Sequence, residues 1–451
     1  MKRDLTHLFN TQRHAASQAP FPTLRMRRER LARLANMTKH HQKAIIRAIQ
    51  ADFGKRSETE IRLAEISAVL QATRYARWHL WHWMRPRRAA MPWRLWPARA
   101  HIAPQPLGVV GVMSPWNYPW SLALMPALDA FAAGNSVMIK PSEHTPHTSA
   151  LLAKLVPQYF TDEELCIVEG GPEIAKAFSA LPFDHLVFTG STQVGRQVAL
   201  AAAAQLTPVT LELGGKSPAI VAGDADLDRA AASLIFGKGL NAGQTCIAPD
   251  YVLVESRHLE ALIQALSRAI TQQRPNDKEA TGFVSPQHQQ RSEHLIAQAI
   301  DHGCRVIDNG QHAPALVIDP TQDLELMRDE IFGRALPLIS VKHIDDAIAF
   351  INTRPHPLAL YAFTEDKLLQ TRLRHTTRSG ALIFNETLLH HAVPSLPFGG
   401  VGDSGTGAYH GRHGFERFSH LRGVFYQSKR ASSALIRPPY KRWLLKLLRI
   451  G

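Results

Sequence analysis

Two short segments of this chain carry residue types that together can do covalent chemistry. Cys246 lies in Asn241-Ala-Gly-Gln-Thr-Cys246-Ile247-Ala-Pro249, and 34 positions upstream Glu212 lies in Leu211-Glu212-Leu213-Gly214-Gly215-Lys216. A free cysteine, with a pKa of about 8.5, is only a few per cent thiolate at neutral pH but is intrinsically a strong nucleophile, so it needs a modest local push and not a full triad. A carboxylate on a separate Gly-Gly turn can supply that push. A lone cysteine is more often a small buried hydrophobe; the framing glycines and the second motif turn the reading toward catalysis.

Other segments read as cofactor machinery. Apolar Leu186-Val187-Phe188 can end a buried strand, Gly190-Ser191 turns it, and Gly195 opens an alanine-rich helix. A helix start there presents free amides to a pyrophosphate. The Gly-x-x-x-x-Gly spacing differs from the Gly-x-Gly-x-x-Gly fingerprint and takes its meaning from following a strand and preceding a helix. A literal fingerprint exists at Gly400-Val-Gly402-Asp-Ser-Gly405. It is rejected as a cofactor loop, because Pro394 and Pro397 break any strand leading in and no long helical run follows.

In content and order these segments resemble the aldehyde dehydrogenase superfamily, from about Arg25 to about Val424. The resemblance implies an α/β fold of two open α/β domains, a Rossmann-like cofactor domain and a catalytic domain, with a small bridging and oligomerisation β element. It implies Cys246 as nucleophile and Glu212 as the group activating the cysteine or the deacylating water. Asn117, in Ser114-Pro115-Trp116-Asn117-Tyr118-Pro119, would face the aldehyde oxygen together with the amide of Cys246.

The same resemblance assigns the cofactor set, with no metal. Trp116, Gly190, Ser191 and Gly195 belong to it; Lys140 and Glu143, in Ile139-Lys140-Pro141-Ser142-Glu143, would hold the adenine ribose. A carboxylate at Glu143 repels a 2'-phosphate, so NAD is favoured, with NADP possible. In Asp329-Glu330-Ile331-Phe332-Gly333-Arg334, Glu330 would bind the nicotinamide ribose and Phe332 would pack near the ring, while Glu330 also competes with Glu212 as base. Arg334 stands where the family has proline; this bears on loop rigidity, and the side chain reads first as a solvated surface arginine.

The short amino terminus and Asn-Ala-Gly-Gln-Thr-Cys-Ile-Ala-Pro-Asp run are similar to the class 3 branch. Arg56-Ser57-Glu58-Thr59-Glu60, Leu63-Ala64-Glu65-Ile66 and Asn385-Glu386-Thr387-Leu388-Leu389-His390 look most like bacterial coniferyl-aldehyde dehydrogenases. The implied substrate is an aromatic propenal such as coniferaldehyde or a medium to long-chain aliphatic aldehyde. The alternatives are a CoA-acylating relative, which Glu212 argues against, and an inactive binding or scaffold protein on the same fold.

The elements that must position these groups follow from periodicity. Helical spacing dominates from Arg25 to about Arg85, and prolines at 86, 92, 97, 104 and 106 then predict an extended linker. Strands are expected over 107–113 and 136–139 with a helix over 123–133 between them, then a strand over 219–222, a helix over 226–240 and a strand over 251–254. This is the order of parallel sheets, with Cys246 in a loop beside one of them. The expected division is 1–85 and 104–213 for NAD(P) binding, 214–390 for catalysis, 86–103 and 391–426 for bridging and oligomerisation, and a basic amphipathic tail over 427–451.

A chain of 451 residues, 45% hydrophobic, can bury a large core and divide into domains. Its three cysteines, Cys166, Cys246 and Cys304, lack metal-ligand spacing and fit a reducing cytosolic compartment. No stretch reads as an export signal or a spanning helix. The net charge of +14 concentrates in two places. Between Arg77 and Arg99, Trp78, Trp81, Trp83, Trp93 and Trp96 interleave with Arg85, Arg87, Arg88 and Arg94; the leading expectation is tryptophans packed on the body with arginines in water, ahead of membrane contact and, last, nucleic acid. In the tail, a helix would group Trp443, Leu444, Leu447 and Leu448 between Lys441, Arg442, Lys446 and Arg449. That pattern fits reversible contact with an anionic lipid surface or docking on a sister subunit. The resemblance implies a homodimer, and no nucleic-acid partner is expected.

Overall fold

The computed structural model describes residues 4–430, 437–439 and 443; the amphipathic tail segment expected over 440–450 otherwise lies outside the described residues. Two large sheets dominate. The first has six strands in the order Gly405–Thr406, Val209–Leu213, His185–Gly190, Val109–Met113, Ser136–Lys140, Leu165–Ile167, and all its pairings are parallel except that of Gly405–Thr406. Its central strands Val109–Met113 and Ser136–Lys140 are buried at every position, as a sheet covered by helices on both faces requires. From Val109–Met113 the chain first crosses to Ser136–Lys140 and later returns to its other side at His185–Gly190. That reversal opens a crevice beyond the strand ends.

The second sheet has seven strands, Arg305–Ile307, Ala315–Ile318, Ala335–Val341, Tyr251–Glu255, Pro218–Val221, Ala359–Phe363 and Ala381–Phe384, parallel except at the first pair. Expected elements recur here with shifts of one or two residues: Ser121–Ala133 and Leu227–Gly239 are helices, and Val109–Met113, Ser136–Lys140, Pro218–Val221 and Tyr251–Glu255 are strands. No helix among the described residues is long and apolar enough to cross a membrane.

Three sequence expectations change. A helix, Leu5–Gln18, precedes the helical run, capped by the Asp4 carboxylate accepting from the Thr6 amide at 3.0 Å; its weak apolar stripe escaped notice. The run from Arg25 is several helices, Leu24–His40, Gln42–Phe53 and Ala68–Met84, the last entered through a π-helical stretch, Ile61–Ser67. The proline-rich stretch is no free linker: Arg87–Arg88, Arg99–Pro106 and Ser419–Tyr426 form a three-stranded antiparallel sheet. Pro104 and Pro106 are tolerated because the short strand pairs only with Ile102 and His101, so the prolines have a neighbour on one side alone.

The π-helical turn has a structural use. It carries Glu65, fully buried, whose carboxylate accepts from the Trp120 and Ser121 amides at 3.1 and 2.8 Å, the first free N–H groups of helix Ser121–Ala133, and from Arg56 Nη1 at 3.1 Å. Removing one partner of such a pair leaves a buried charge alone. Glu65→Ala is therefore expected to lower unfolding stability by about 3–5 kcal/mol, read as a lower denaturant midpoint; a loss below about 1 kcal/mol would show that the pair is dispensable.

Candidate active site

The residues singled out in the sequence converge at the carboxyl ends of the first sheet and in the adjacent loop of the second. Ser114 to Asn117 follow strand Val109–Met113, Lys140 and Gly190 end their strands, and Glu212 is the penultimate residue of Val209–Leu213. Cys246 enters from the opposite side, between helix Leu227–Gly239 and strand Tyr251–Glu255.

Its loop is bent by three successive residues with positive φ, Asn241, Ala242 and Gly243, at 52°, 53° and 78°. A side chain at Gly243 would collide with the Gly333 carbonyl, so glycine is required there. The Asn241 side-chain amide donates to the carbonyls of Asn117 and Gln244, and Asn117 Nδ2 donates to the Gln244 carbonyl at 3.2 Å. The asparagine and cysteine loops are thus stitched together. Strained backbone of this kind tends to collect at functional sites, and Phe332 adds another instance at φ 46°.

Around the thiol the acidic groups are buried and short of countercharge. Burial pushes the Cys246 thiol up to about 12, reinforced by Glu330 and then Glu212. Glu212 is 2% exposed and neither carboxyl oxygen has a hydrogen-bond partner; burial raises it well above the usual carboxylate range, with Arg417 opposing. Burial and then Asp250 raise Glu330 to about 8, against the Gly215 amide, Lys216 and Lys238. A Cβ at Gly214 would overlap the Glu330 carboxylate, so the Gly-Gly turn that follows Glu212 also makes room for the second acid.

The segment bearing Glu330 and Phe332 is rigid without the family's proline. Lys216 bonds Asp250 and donates to the carbonyls of Leu326 and Asp329, Asp250 accepts from the Ile331 amide, and Arg291 donates to the carbonyls of Ile331 and Glu330. Arg334 is not a solvated arginine: it is buried and paired with Asp308 and Glu293 at 2.7 Å each. These two carboxylates, on neighbouring elements, draw it inward and supply the anchorage that proline would have given.

The residues expected to hold the cofactor lie at the first sheet's other strand ends and, for Glu330 and Phe332, in the loop before strand Ala335–Val341. Lys140 Nζ contacts Glu143 Oε2 at 2.5 Å, leaving Glu143 partly exposed. Ser191 caps helix Thr192–Ala203 by accepting from the Val194 amide, so the preceding amides of the turn stay available. Gly195 packs against Leu213, and a Cβ there would press into that side chain. Trp116 meets Phe332 edge to face at 5.3 Å. An amide-rich helix start, a partly exposed carboxylate paired with Lys140 and an aromatic pair fit a dinucleotide. Gly400 to Gly405 does not: Gly402–Ser404 is one turn of 3-10 helix, and Gly405 pairs with Glu212.

Sequence reasoning missed a ring of tyrosines and histidines. The Tyr361 hydroxyl donates to the Ile247 carbonyl at 2.6 Å, and that of Tyr118 lies 2.7 Å from Thr245 Oγ1. Tyr409 is buried beside Glu212 and Cys246 with its hydroxyl unpartnered. His390, His391 and His410 gather around Phe398, with His390 also 6.3 Å from the Tyr361 ring. Burial holds them neutral, His390 and His391 near 4. Tyr118 and His390 stood within quoted motifs; Tyr361, on a distant strand, had no local signal.

A thiol beside two raised carboxyls, at a sheet reversal of the kind that binds dinucleotides, is the setting of a cofactor-dependent oxidoreductase. The aldehyde dehydrogenase family model matches residues 3–424, and the chain belongs to this family. It is 43% identical over 453 residues to a probable coniferyl aldehyde dehydrogenase of Pseudomonas aeruginosa, covering 98% of this chain and 95% of the relative. It is 37% identical to the 4,4'-diaponeurosporen-aldehyde dehydrogenase of Staphylococcus aureus, covering 97% and 95%. The solved substrate-bound state of a Staphylococcus aureus AldH matches with a TM-score of 0.95 at 35% identity over 99% of both chains. The protein is an NAD(P)-dependent enzyme that oxidises an aldehyde.

Proposed function

We propose that Cys246, Glu212 and Asn117 carry the reaction, and that the substrate is an aromatic aldehyde of the coniferaldehyde type. The observation that carries the first part is the juxtaposition of the Cys246 thiol with two buried acids and with the Asn117 amide. The Cys246 thiol gives up its proton to water as the sulfur adds to the carbonyl carbon, and the oxygen is received by Asn117 Nδ2 and the Cys246 backbone N–H. NAD(P), when bound, would supply the two-electron acceptor for the hydride on the thiohemiacetal carbon, and Cys246 then carries the acyl group as a thioester. Water activated by Glu212 then breaks the S–C bond, releasing carboxylic acid and thiol. Removing an oxyanion donor typically costs about 100- to 1000-fold in turnover, and Asn117→Ala is expected to show that loss in kcat. An unchanged kcat would remove the asparagine from the oxyanion site.

Glu330 is a second reading for the base, favoured by its pKa near 8, close to a working pH. Lys140 and Glu143 hold the adenine ribose, Gly190, Ser191 and Gly195 the pyrophosphate, and Trp116, Glu330 and Phe332 the nicotinamide end. Glu143 sets the preference for NAD, so Glu143→Gln is expected to raise kcat/KM for NADP relative to NAD about tenfold, as loss of one like-charge contact near 1.4 kcal/mol requires. No change in the ratio would place the 2'-phosphate elsewhere. Residues 1–85 and 104–213 form the cofactor domain, 214–390 the catalytic domain, and 86–103 with 391–426 the bridging element of a homodimer. The basic tail makes reversible contact with a membrane surface.

The substrate reading rests on the probable coniferyl aldehyde dehydrogenase among the relatives and on the neutral imidazoles beside Tyr361 and Tyr409. Such a wall suits an oxygenated ring better than a bare alkyl chain. NADH formation with coniferaldehyde, benzaldehyde, decanal and hexadecanal tests it: the highest kcat/KM is expected for coniferaldehyde, and a preference for hexadecanal would replace it with a lipid aldehyde.

A further inference from the structure

The expectation that the tryptophans of 77–99 pack onto the body fails for most of them. Trp83 is buried, but Trp78, Trp81, Trp93 and Trp96 are 81%, 53%, 69% and 68% exposed. Helix Ala68–Met84 explains this. Val69, Ala72, Thr73, Ala76, Leu80 and Trp83 face inward, whereas Arg74, Arg77, Trp78, Trp81 and Arg85 recur at steps of three and four and are exposed together. Arg85 lies over the Trp81 ring at 4.5 Å.

The solvent side of this helix carries large apolar rings where charged pairs are usual, and no acid balances its arginines. From Ile66 to Leu128 the chain has no aspartate or glutamate. Among the described residues, Arg87 has an acidic partner, Glu416 at 3.4 Å, while Arg74, Arg77, Arg85 and Arg88 have none. Exposed tryptophan beside arginine is the composition of a membrane-water boundary, where the ring sits among headgroups and the guanidinium meets lipid phosphate. A second copy of the same face would set arginine against arginine and is disfavoured by charge.

We propose that the outer face of helix Ala68–Met84, with Trp78 and Trp81 at its centre and Arg74, Arg77 and Arg85 around them, docks the enzyme on an anionic lipid surface. The proposal deepens the membrane contact read for the tail and rests on it in part, but it places contact on the folded body. Each arginine near such a surface strengthens binding about fivefold, and the rings add an apolar share that salt does not screen.

The test is sedimentation of the full-length enzyme with phosphatidylcholine vesicles containing or lacking phosphatidylserine. Trp78→Ser/Trp81→Ser and Arg74→Gln/Arg77→Gln/Arg85→Gln are compared with a tail variant in which Lys441, Arg442, Lys446 and Arg449 become Gln. Both helix variants are expected to keep NADH formation with a water-soluble aldehyde, confirming the fold, and to lose at least tenfold in vesicle partitioning. The tail variant is expected to retain phosphatidylserine-dependent binding, with its tryptophan fluorescence quenched by brominated lipid. Helix variants that bind like the parent while the tail variant does not would overturn the proposal and leave the tail as the contact. Absence of binding by the parent would overturn both. Loss of the dimer in the helix variants would overturn it by making this face a subunit contact.

Discussion

Cys246→Ala is expected to reduce NADH formation from any aldehyde by about 10⁴-fold or more, the scale on which removal of a covalent nucleophile acts. The loss should fall on kcat, with binding of NAD unchanged, because the residues proposed to hold NAD, Lys140, Glu143 and the helix start at Ser191, belong to the first sheet and Cys246 to a loop of the second. The loop geometry explains why no neighbour can substitute: three left-handed residues and the Asn117–Asn241–Gln244 hydrogen bonds present one sulfur, and Cys166 is buried within the first sheet. Turnover within tenfold of the parent would mean that the reaction proceeds without a thioester.

Glu212→Gln is expected to cost about 100- to 10,000-fold, the span of a lost general base. The loss should appear as slow hydrolysis after a normal first turnover. The sign of the pH dependence follows from burial. Glu212 is raised well above 4.5, and a base must be ionised to act, so parent turnover rises with pH at values above the ordinary carboxylate range, while the residual activity of the variant loses that part of the rise. Should Glu330 be the base, the rise would instead survive in Glu212→Gln, centre near 8, and vanish in Glu330→Gln. The same shift acts on stability with opposite sense. A carboxyl raised in the folded state favours folding least once the unfolded chain has ionised, so the Glu330 contribution falls as pH rises from about 4.5 to about 8.

The segments proposed to carry the reaction stand out in the sequence because each has glycines or prolines that force a turn beside a strand. Gly214, Gly190 and Gly243 mark places where a carboxylate, a ring or backbone comes close, and that need is visible in residue type alone. The alternation of apolar strands and helices from 107 to 254 was equally visible, since buried parallel strands are continuous apolar runs. What escaped reading depends on partners far apart in the chain. The inward turn of Arg334 is set by Glu293 and Asp308, and the hydroxyl of Tyr361 reaches Ile247 across a sheet. The π-helical Glu65 is defined by amides of a helix more than fifty residues on. The exposed tryptophans reverse the ordinary rule that large rings go inward, and a rule broken on a surface cannot be read from a periodicity that assumes it.

The most direct test of covalent catalysis by Cys246 is the intact mass of Glu212→Gln after brief incubation with coniferaldehyde and NAD, followed by peptide mapping. The predicted result is one acyl group per chain, carried by the peptide containing Cys246, with one equivalent of NADH released. Unmodified Cys246 after stoichiometric NADH release, with Cys246→Ala behaving the same way, would contradict the account.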